Sequence, residues 1–360
     1  MILKEHVLLA PLTTLGVGGS ARFFIEAHSV EEVVEALSIA RERSLPVFVL
    51  GGGSNIVIAD DGFDGLIISV RIGGITAEHR DKTVAVTVGA GVPWDELVAW
   101  AVKKGFIGLE CLSGVPGTVG GAVVANLGCY GAQCSDTLVS ARVLERGAEK
   151  DVARIINKEE CDFSYHDSMF SYSEGRYIVL EATFVLSTFG TSRLSYRDNR
   201  FDLEALATAS GREPTLEDIR AAILLMRGEK GVLRTSYRSA GSFFHMPFVS
   251  ADHYARIREK ARALDAEKEE RLRPWAWKQA DGSYKIAAGF LLEYTEFQKG
   301  YVRGAVGISP KHTLSIINIS GGRAEDIAWL ARDMQDAVEK QFGIRLEREV
   351  EYVGNVERAG

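Results

Sequence analysis

Nowhere in the 360 residues do 18 apolar residues run together, so no segment is expected to cross a bilayer as a helix. A basic surplus is missing too: 42 Lys and Arg stand against 49 Asp and Glu, for a formal net charge of -7 and a pI near 5.7. Nucleic acid and anionic membrane surfaces both reward excess cations, so neither is an expected partner. Any polyanionic ligand has to be met by local groups. Cysteine is scarce, and Cys111, Cys129, Cys134 and Cys161 lack paired zinc spacing. They read as reduced thiols, and no metal is expected. Met1 to Pro11 carries Lys4, Glu5 and His6 before a short apolar stretch, which is no secretion signal, so a cytoplasmic location is expected. Internal repeats and low-complexity segments are also missing.

What is present is a globular composition, 46% hydrophobic and 25% charged, in a chain long enough for two or three cores. Arg22 to Glu26 reads as a strand. Ser29 and Glu32 form a capping box that opens a helix through Arg43, with Val30, Val33, Val34 and Leu37 on one face. Pro46 introduces an apolar strand, Val47 to Leu50. Val84 to Val88 is strand-like by its β-branched content, and a helix follows with Pro93 in its first turn and Gly105 at its end. Beyond a strand at Tyr177 to Phe184, residues 187–212 read as an irregular connection with a short helix, and Leu216 to Met226 as a second helix. Residues 254–273 read as a charged helical face, and Ala324 to Phe342 as an amphipathic helix ended by Gly343.

Two glycine-rich loops carry the first chemical signal. Gly51, Gly52, Gly53, Ser54 and Asn55 follow the strand Val47 to Leu50 directly. Glycines there let a backbone approach a ligand, and successive amide N–H groups make a nest for phosphate oxygens. The loop has neither the lysine of a P-loop nor the spacing of a dinucleotide fingerprint. A simple structural turn is the bland alternative. The second loop is denser: Ser113, Gly114, Val115, Pro116, Gly117, Thr118, Val119, Gly120, Gly121 and Ala122. Two such loops on separate α+β units suit a pyrophosphate held between them by amides instead of cationic side chains.

With these motifs in order, the sequence resembles the UDP-N-acetylenolpyruvoylglucosamine reductase family, flavoproteins of the vanillyl-alcohol-oxidase-like FAD-binding fold. The resemblance runs from Thr13-Thr14-Leu15-Gly16-Val17-Gly18-Gly19 through both glycine loops. It continues with Tyr165 to Phe170, Ala240-Gly241-Ser242-Phe243-Phe244, Lys311-His312 and Leu346-Glu347-Arg348-Glu349-Val350. It implies an α+β fold with a two-part FAD-binding domain of the vanillyl-alcohol-oxidase/PCMH type and a C-terminal α+β substrate domain. The expected boundaries are residues 1–70, 71–230 joined by 343–360, and 231–342. The implied reaction is the NADPH-driven reduction of UDP-N-acetylglucosamine enolpyruvate to UDP-N-acetylmuramate, with hydride from flavin N5 and a proton from Ser242. Glu349 and the residue after Tyr165 would assist. Cofactor contacts would come from Gly51 to Asn55 and from Ser113, Gly114, Pro116, Gly117, Thr118, Gly120, Gly121 and Ala122. Substrate contacts would come from Tyr165, Tyr196, Arg227 and Lys230, with Arg234 and Arg238 in the same basic stretch. The first loop has no His or Cys for flavin attachment, so FAD is expected to be noncovalent. A monomer is expected.

The pattern breaks in two places. Where the family carries its catalytic arginine, this chain has His166, and Met246 stands where asparagine often does. Arginine offers a permanent charge and a planar fork, whereas histidine is mostly neutral near pH 7 unless an acid raises its pKa. Asp167, Glu349 or the substrate carboxylate is the expected source of that help. Arg197, in Ser195-Tyr196-Arg197-Asp198, is an outside candidate to replace the arginine. Two other readings stand beside the reductase: an oxidase of the same fold, and a flavin-binding module that has lost catalysis through His166 and Met246.

Overall fold

The computed structural model describes residues 1–147, 151–198 and 200–357. Position 199 of the expected irregular connection and positions 358–360 of the terminal segment lie outside them. The chain begins with a four-stranded mixed sheet in which Ser20–Ala27, Phe63–Val70 and Val47–Leu50 run parallel and Lys4–Leu8 pairs antiparallel at the edge. The helix Val30–Glu42 starts where Ser29 accepts the Glu32 N–H, and the Glu32 carboxylate answers at the His28 N–H instead of closing a reciprocal box. It buries Val33, Ala36, Leu37 and Ala40, one face at helical spacing.

A five-stranded antiparallel sheet follows, with Tyr177–Ser187 between Leu138–Glu145 and Thr83–Gly89. The helix Trp94–Lys104 packs on it and ends at Gly105, whose φ of 74° is the left-handed cap a glycine supplies. Trp94 is fully buried, its indole N–H donating to the Leu112 carbonyl at 3.1 Å. Both sheets contribute to one continuous apolar core that runs from Phe23 to Leu186, while the helix Leu216–Lys230 packs in a smaller cluster with Cys111, Tyr130 and Leu203.

Residues 238–342 build most of a second core from two small sheets and the helix Ala324–Phe342, which buries eight side chains along one stripe; Leu15, Val17, Val57 and Ala59 and the terminal Leu346, Val350 and Val356 complete it. The charged segment expected as one helix is two, Ala251–Leu264 and Ala266–Leu272. Asp265, in extended conformation, ends the first and caps the second by accepting the Lys268 N–H. The helix expected to end at Met226 continues to Lys230 and closes at Gly231, φ 68°. That extra turn puts Arg227 and Lys230 on its buried side.

The terminal segment returns to a different partner from the one expected. Glu351–Val353 pairs in parallel with Ile56–Ile58, inside residues 1–70 and not inside 71–230. A three-residue strand carries too little pattern to fix a long-range partner. Among the described residues, no helix is long and apolar enough to cross a membrane.

Candidate active site

The two glycine loops meet backbone to backbone. A Cβ on Gly52 would lie 2.5 Å from the Gly117 Cα, and one on Gly53 would lie 2.1 Å from the Leu12 carbonyl oxygen. No side chain fits at either position. Ser54 donates its hydroxyl hydrogen to the Pro116 carbonyl at 3.3 Å, binding one loop to the other. Thr118 caps the short helix Val119–Val124 by accepting the Gly121 N–H. Among the described residues, the amide N–H groups of Gly52, Gly53, Ser54 and Asn55 donate to no protein acceptor. Such a row of available donors suits phosphate oxygens.

These loops line a cavity of about 870 Å³ together with Tyr165, His166, Tyr196, Arg227, Lys230 and Arg234, and with Ser242, Met246 and Glu349. The volume falls in the range of cofactor and ligand sites. Gly51 to Asn55, Pro116, Gly117, Thr118, Gly120, Gly121 and Ala122 all reach its wall. Ser113 and Gly114 do not. Ser113 is fully buried and donates to the Glu110 carbonyl at 2.6 Å, while Gly114 gives its N–H to Asp95 and its carbonyl to Arg227 Nε. Both act from behind the loop.

The reacting end is assembled from three distant segments. Residues 243–245 pair with 347–349: Glu349 N–H donates to the Phe243 carbonyl at 3.0 Å and His245 N–H to the Glu347 carbonyl at 2.9 Å. This ladder sets Glu349 beside Ser242. Asn55 then ties the first glycine loop to the same place, its side-chain amide donating to the Glu349 carbonyl at 3.0 Å. Tyr165 and His166 form the apex of a tight turn closed by Ser164 and Asp167, with His166 at φ 54°. Buried Asn126 fixes the turn by donating to the Ser164 carbonyl at 2.7 Å.

Around Glu349 the electrostatics differ from the sequence expectation. His166 Nδ1 lies 3.8 Å from one carboxyl oxygen and His245 Nδ1 lies 4.0 Å from the other, both beyond hydrogen-bond reach. Burial pushes Glu349 up to about 7, against the opposing charge of Lys285. It pushes His166 down to about 4, helped by His245 and Lys285. The expected protonation of His166 by Glu349 or Asp167 therefore fails for the protein alone. A carboxyl that is itself half-neutral offers little charge, and Asp167 is spent on the Ser168 N–H and the Ser171 hydroxyl. Arg197 does not take over the role: it is largely exposed and paired with Asp202 at 2.6 Å.

At the opposite end Lys230 is enclosed. Its ammonium donates to Asp198 at 2.6 Å and to the Tyr196 hydroxyl at 2.8 Å, and it lies over the rings of Tyr130, Tyr196 and Phe201. Tyr196 in turn donates to Asp198 at 2.7 Å. Against the upward push of burial, these bonds hold Asp198 down at about 2. Arg227 is committed to backbone, donating to the Gly114 and Val232 carbonyls, each at 3.0 Å. Arg234 lines the cavity, and Arg238 instead packs beside Gly16. Asp198, His245 and Lys285 escaped the sequence reading because a lone acid, a histidine in a short extended segment and a strand lysine carry no local signal.

A pair of backbone-lined glycine loops beside a separate C-terminal unit that lines the same cavity is the architecture of an FAD-binding protein with a second domain. Residues 21–149 match the FAD binding domain family, and residues 233–353 match the UDP-N-acetylenolpyruvoylglucosamine reductase C-terminal domain. The UDP-N-acetylenolpyruvoylglucosamine reductase of Thermobifida fusca is 38% identical over 357 residues, covering 97% of this chain and 98% of its own. That of Pseudomonas aeruginosa is 34% identical over 349 residues, covering 96% and 98%. The crystal structure of the Thermus caldophilus enzyme aligns over 98% of this chain and 100% of its own, at TM-score 0.65 and 25% identity. The chain belongs to the UDP-N-acetylenolpyruvoylglucosamine reductase family, and its fold is the expected α+β combination of a vanillyl-alcohol-oxidase/PCMH-type FAD-binding domain and the family's C-terminal domain.

Proposed function

We propose that this chain reduces UDP-N-acetylglucosamine enolpyruvate to UDP-N-acetylmuramate, using NADPH and noncovalent FAD, in the cytoplasmic synthesis of peptidoglycan precursors. The observation that carries this reading is the convergence of Ser242, Glu349 and the Tyr165–His166 turn on one cavity walled by both glycine loops. The relatives' shared name supports the substrate class.

Bound FAD supplies the hydride. Gly51 to Asn55 would hold its pyrophosphate through backbone amides, joined from the second loop by the Gly117 and Thr118 N–H groups, while Pro116, Gly120, Gly121 and Ala122 would pack against it and Ser113 and Gly114 support that loop from behind. Ser242 gives its proton to the carbon beside the one that receives hydride. A serine hydroxyl is a weak acid, so that transfer needs the developing negative charge on the substrate to be met. Glu349, partly protonated near neutrality, donates a hydrogen bond there. His166 adds a neutral N–H in place of a charged fork. We assign residues 1–70 and 71–230 to FAD and 231–342 to the substrate. The test is product identity: NADPH oxidation has to depend on the enolpyruvyl substrate and yield a product two hydrogens heavier.

The substrate diphosphate belongs at Lys230, with Tyr196 covering the uridine. Because Asp198 occupies Lys230 in the structure, phosphate has to compete with a carboxylate for the same ammonium. Asp198→Asn, which keeps the shape and removes the charge, is expected to lower KM for the nucleotide sugar several-fold with little change in kcat. A raised KM in steady-state assays would instead make Asp198 a support for Lys230.

A further inference from the structure

Tyr165, His166, His245, Lys285 and Glu349, from four segments, crowd one end of the cavity, and Lys285 has no role in the reading above. Lys285 lies in the strand Tyr284–Ile286, between Phe248 and Trp277 of the neighbouring strands. Its Nζ lies 3.3 Å from the centroid of the Tyr165 ring and 5.6 Å from that of Phe248. Among the described residues it has no carboxylate within 4.0 Å. Tyr165 stands edge-on to His166, ring centroids 4.4 Å apart, and His166 stands 3.8 Å from Glu349. The ammonium is thus one aromatic ring behind the cavity wall. It is the cation whose charge acts on Glu349 and, with His245, on His166.

We propose that Lys285 is a positioning residue of this site, whose ammonium, laid on the face of Tyr165, supplies the fixed positive charge that His166 does not. The proposal rests on the reductase reading for its purpose, since negative charge grows at this end of the substrate during reduction. Its geometry stands without that reading. An ammonium held on a ring face, out of bulk water, acts over several ångströms with little screening. Burial brings Lys285 down to about 8, with Glu349 opposing, so the charge is present at and below neutral pH and is lost as pH rises through about 8. The other titratable groups facing this cluster are His166, Asp167, His245 and Glu347. The two histidines are driven toward neutrality by burial, leaving Lys285 as the fixed positive charge acting on Glu349.

The experiment is a pH titration of the Glu349 carboxyl by infrared difference spectroscopy on the FAD-loaded protein, assigned with Glu349→Gln. Lys285→Met is expected to raise the midpoint by roughly one pH unit or more, because the opposite charge that acts on Glu349 is removed; Lys285→Arg is expected to leave it in place. An unmoved midpoint in Lys285→Met would overturn the proposal whatever the substrate. In single-turnover assays, Lys285→Met is expected to slow flavin reoxidation by enolpyruvyl substrate roughly tenfold at neutral pH. Adding His166→Arg to that variant should restore the rate, because the charge returns at the neighbouring position. Failure of that rescue would count against the shared role. A wild type inert to this substrate would defeat the reductase reading and leave the titration to decide on Lys285.

Discussion

Ser242→Ala is expected to leave reduction of the flavin by NADPH at its wild-type rate and to slow reoxidation by the enolpyruvyl substrate by roughly 10²- to 10⁴-fold, the usual contribution of a positioned proton donor. The split follows from where Ser242 lies. It precedes Phe243, whose N–H donates to the Leu314 carbonyl and whose carbonyl accepts from Glu349, so the backbone is pinned on both sides and the hydroxyl is free to face the cavity. Removing one oxygen there changes neither ladder. Stopped-flow traces of the two half-reactions check it. Equal slowing of both would mean a damaged site, and no slowing of the second would remove Ser242 from the chemistry.

The second large effect is expected at Gly52. An added methyl would stand 2.5 Å from the Gly117 Cα and 2.9 Å from its carbonyl carbon, and backbone cannot rotate away as a side chain can. Overpacking of this kind costs about 1–3 kcal/mol. If the cost falls on the closed loop pair, FAD affinity drops roughly 5- to 150-fold. Gly73→Ala is the control, since nothing lies within 4 Å of its added methyl. FAD retained after desalting, with Tm measured in parallel, separates lost affinity from lost folding. A Gly52→Ala protein that keeps its flavin like wild type would show that the contact between the loops is not what holds it.

The two glycine loops were legible because glycine has few other reasons to cluster after a strand, and the structure does bring them into one wall. Ser242 and Glu349 were reached through the family pattern, not through local chemistry: a serine after glycine and an acid in a terminal strand look ordinary until the 243–245 and 347–349 ladder joins them. What the sequence hid is long-range. The pairing of Glu351–Val353 with Ile56–Ile58 spans nearly the whole chain, and three residues carry no register signal. Asp198 meets Lys230 from an irregular connection, and Lys285 meets Tyr165 across two structural units. The departure at position 166 was visible at once, yet its consequence depended on burial. Histidine there is neutral because it is buried beside another histidine and a lysine, none of which its neighbours in sequence reveal.

The most direct test is anaerobic mixing of NADPH-reduced wild-type protein with UDP-N-acetylglucosamine enolpyruvate near neutral pH, following flavin absorbance. Prompt reoxidation with formation of UDP-N-acetylmuramate is the expected result, with histidine standing at position 166. A flavin that stays reduced in wild type and reoxidises only in His166→Arg would make this chain a relative that has lost the reaction. A flavin that stays reduced in both would contradict the substrate assignment itself.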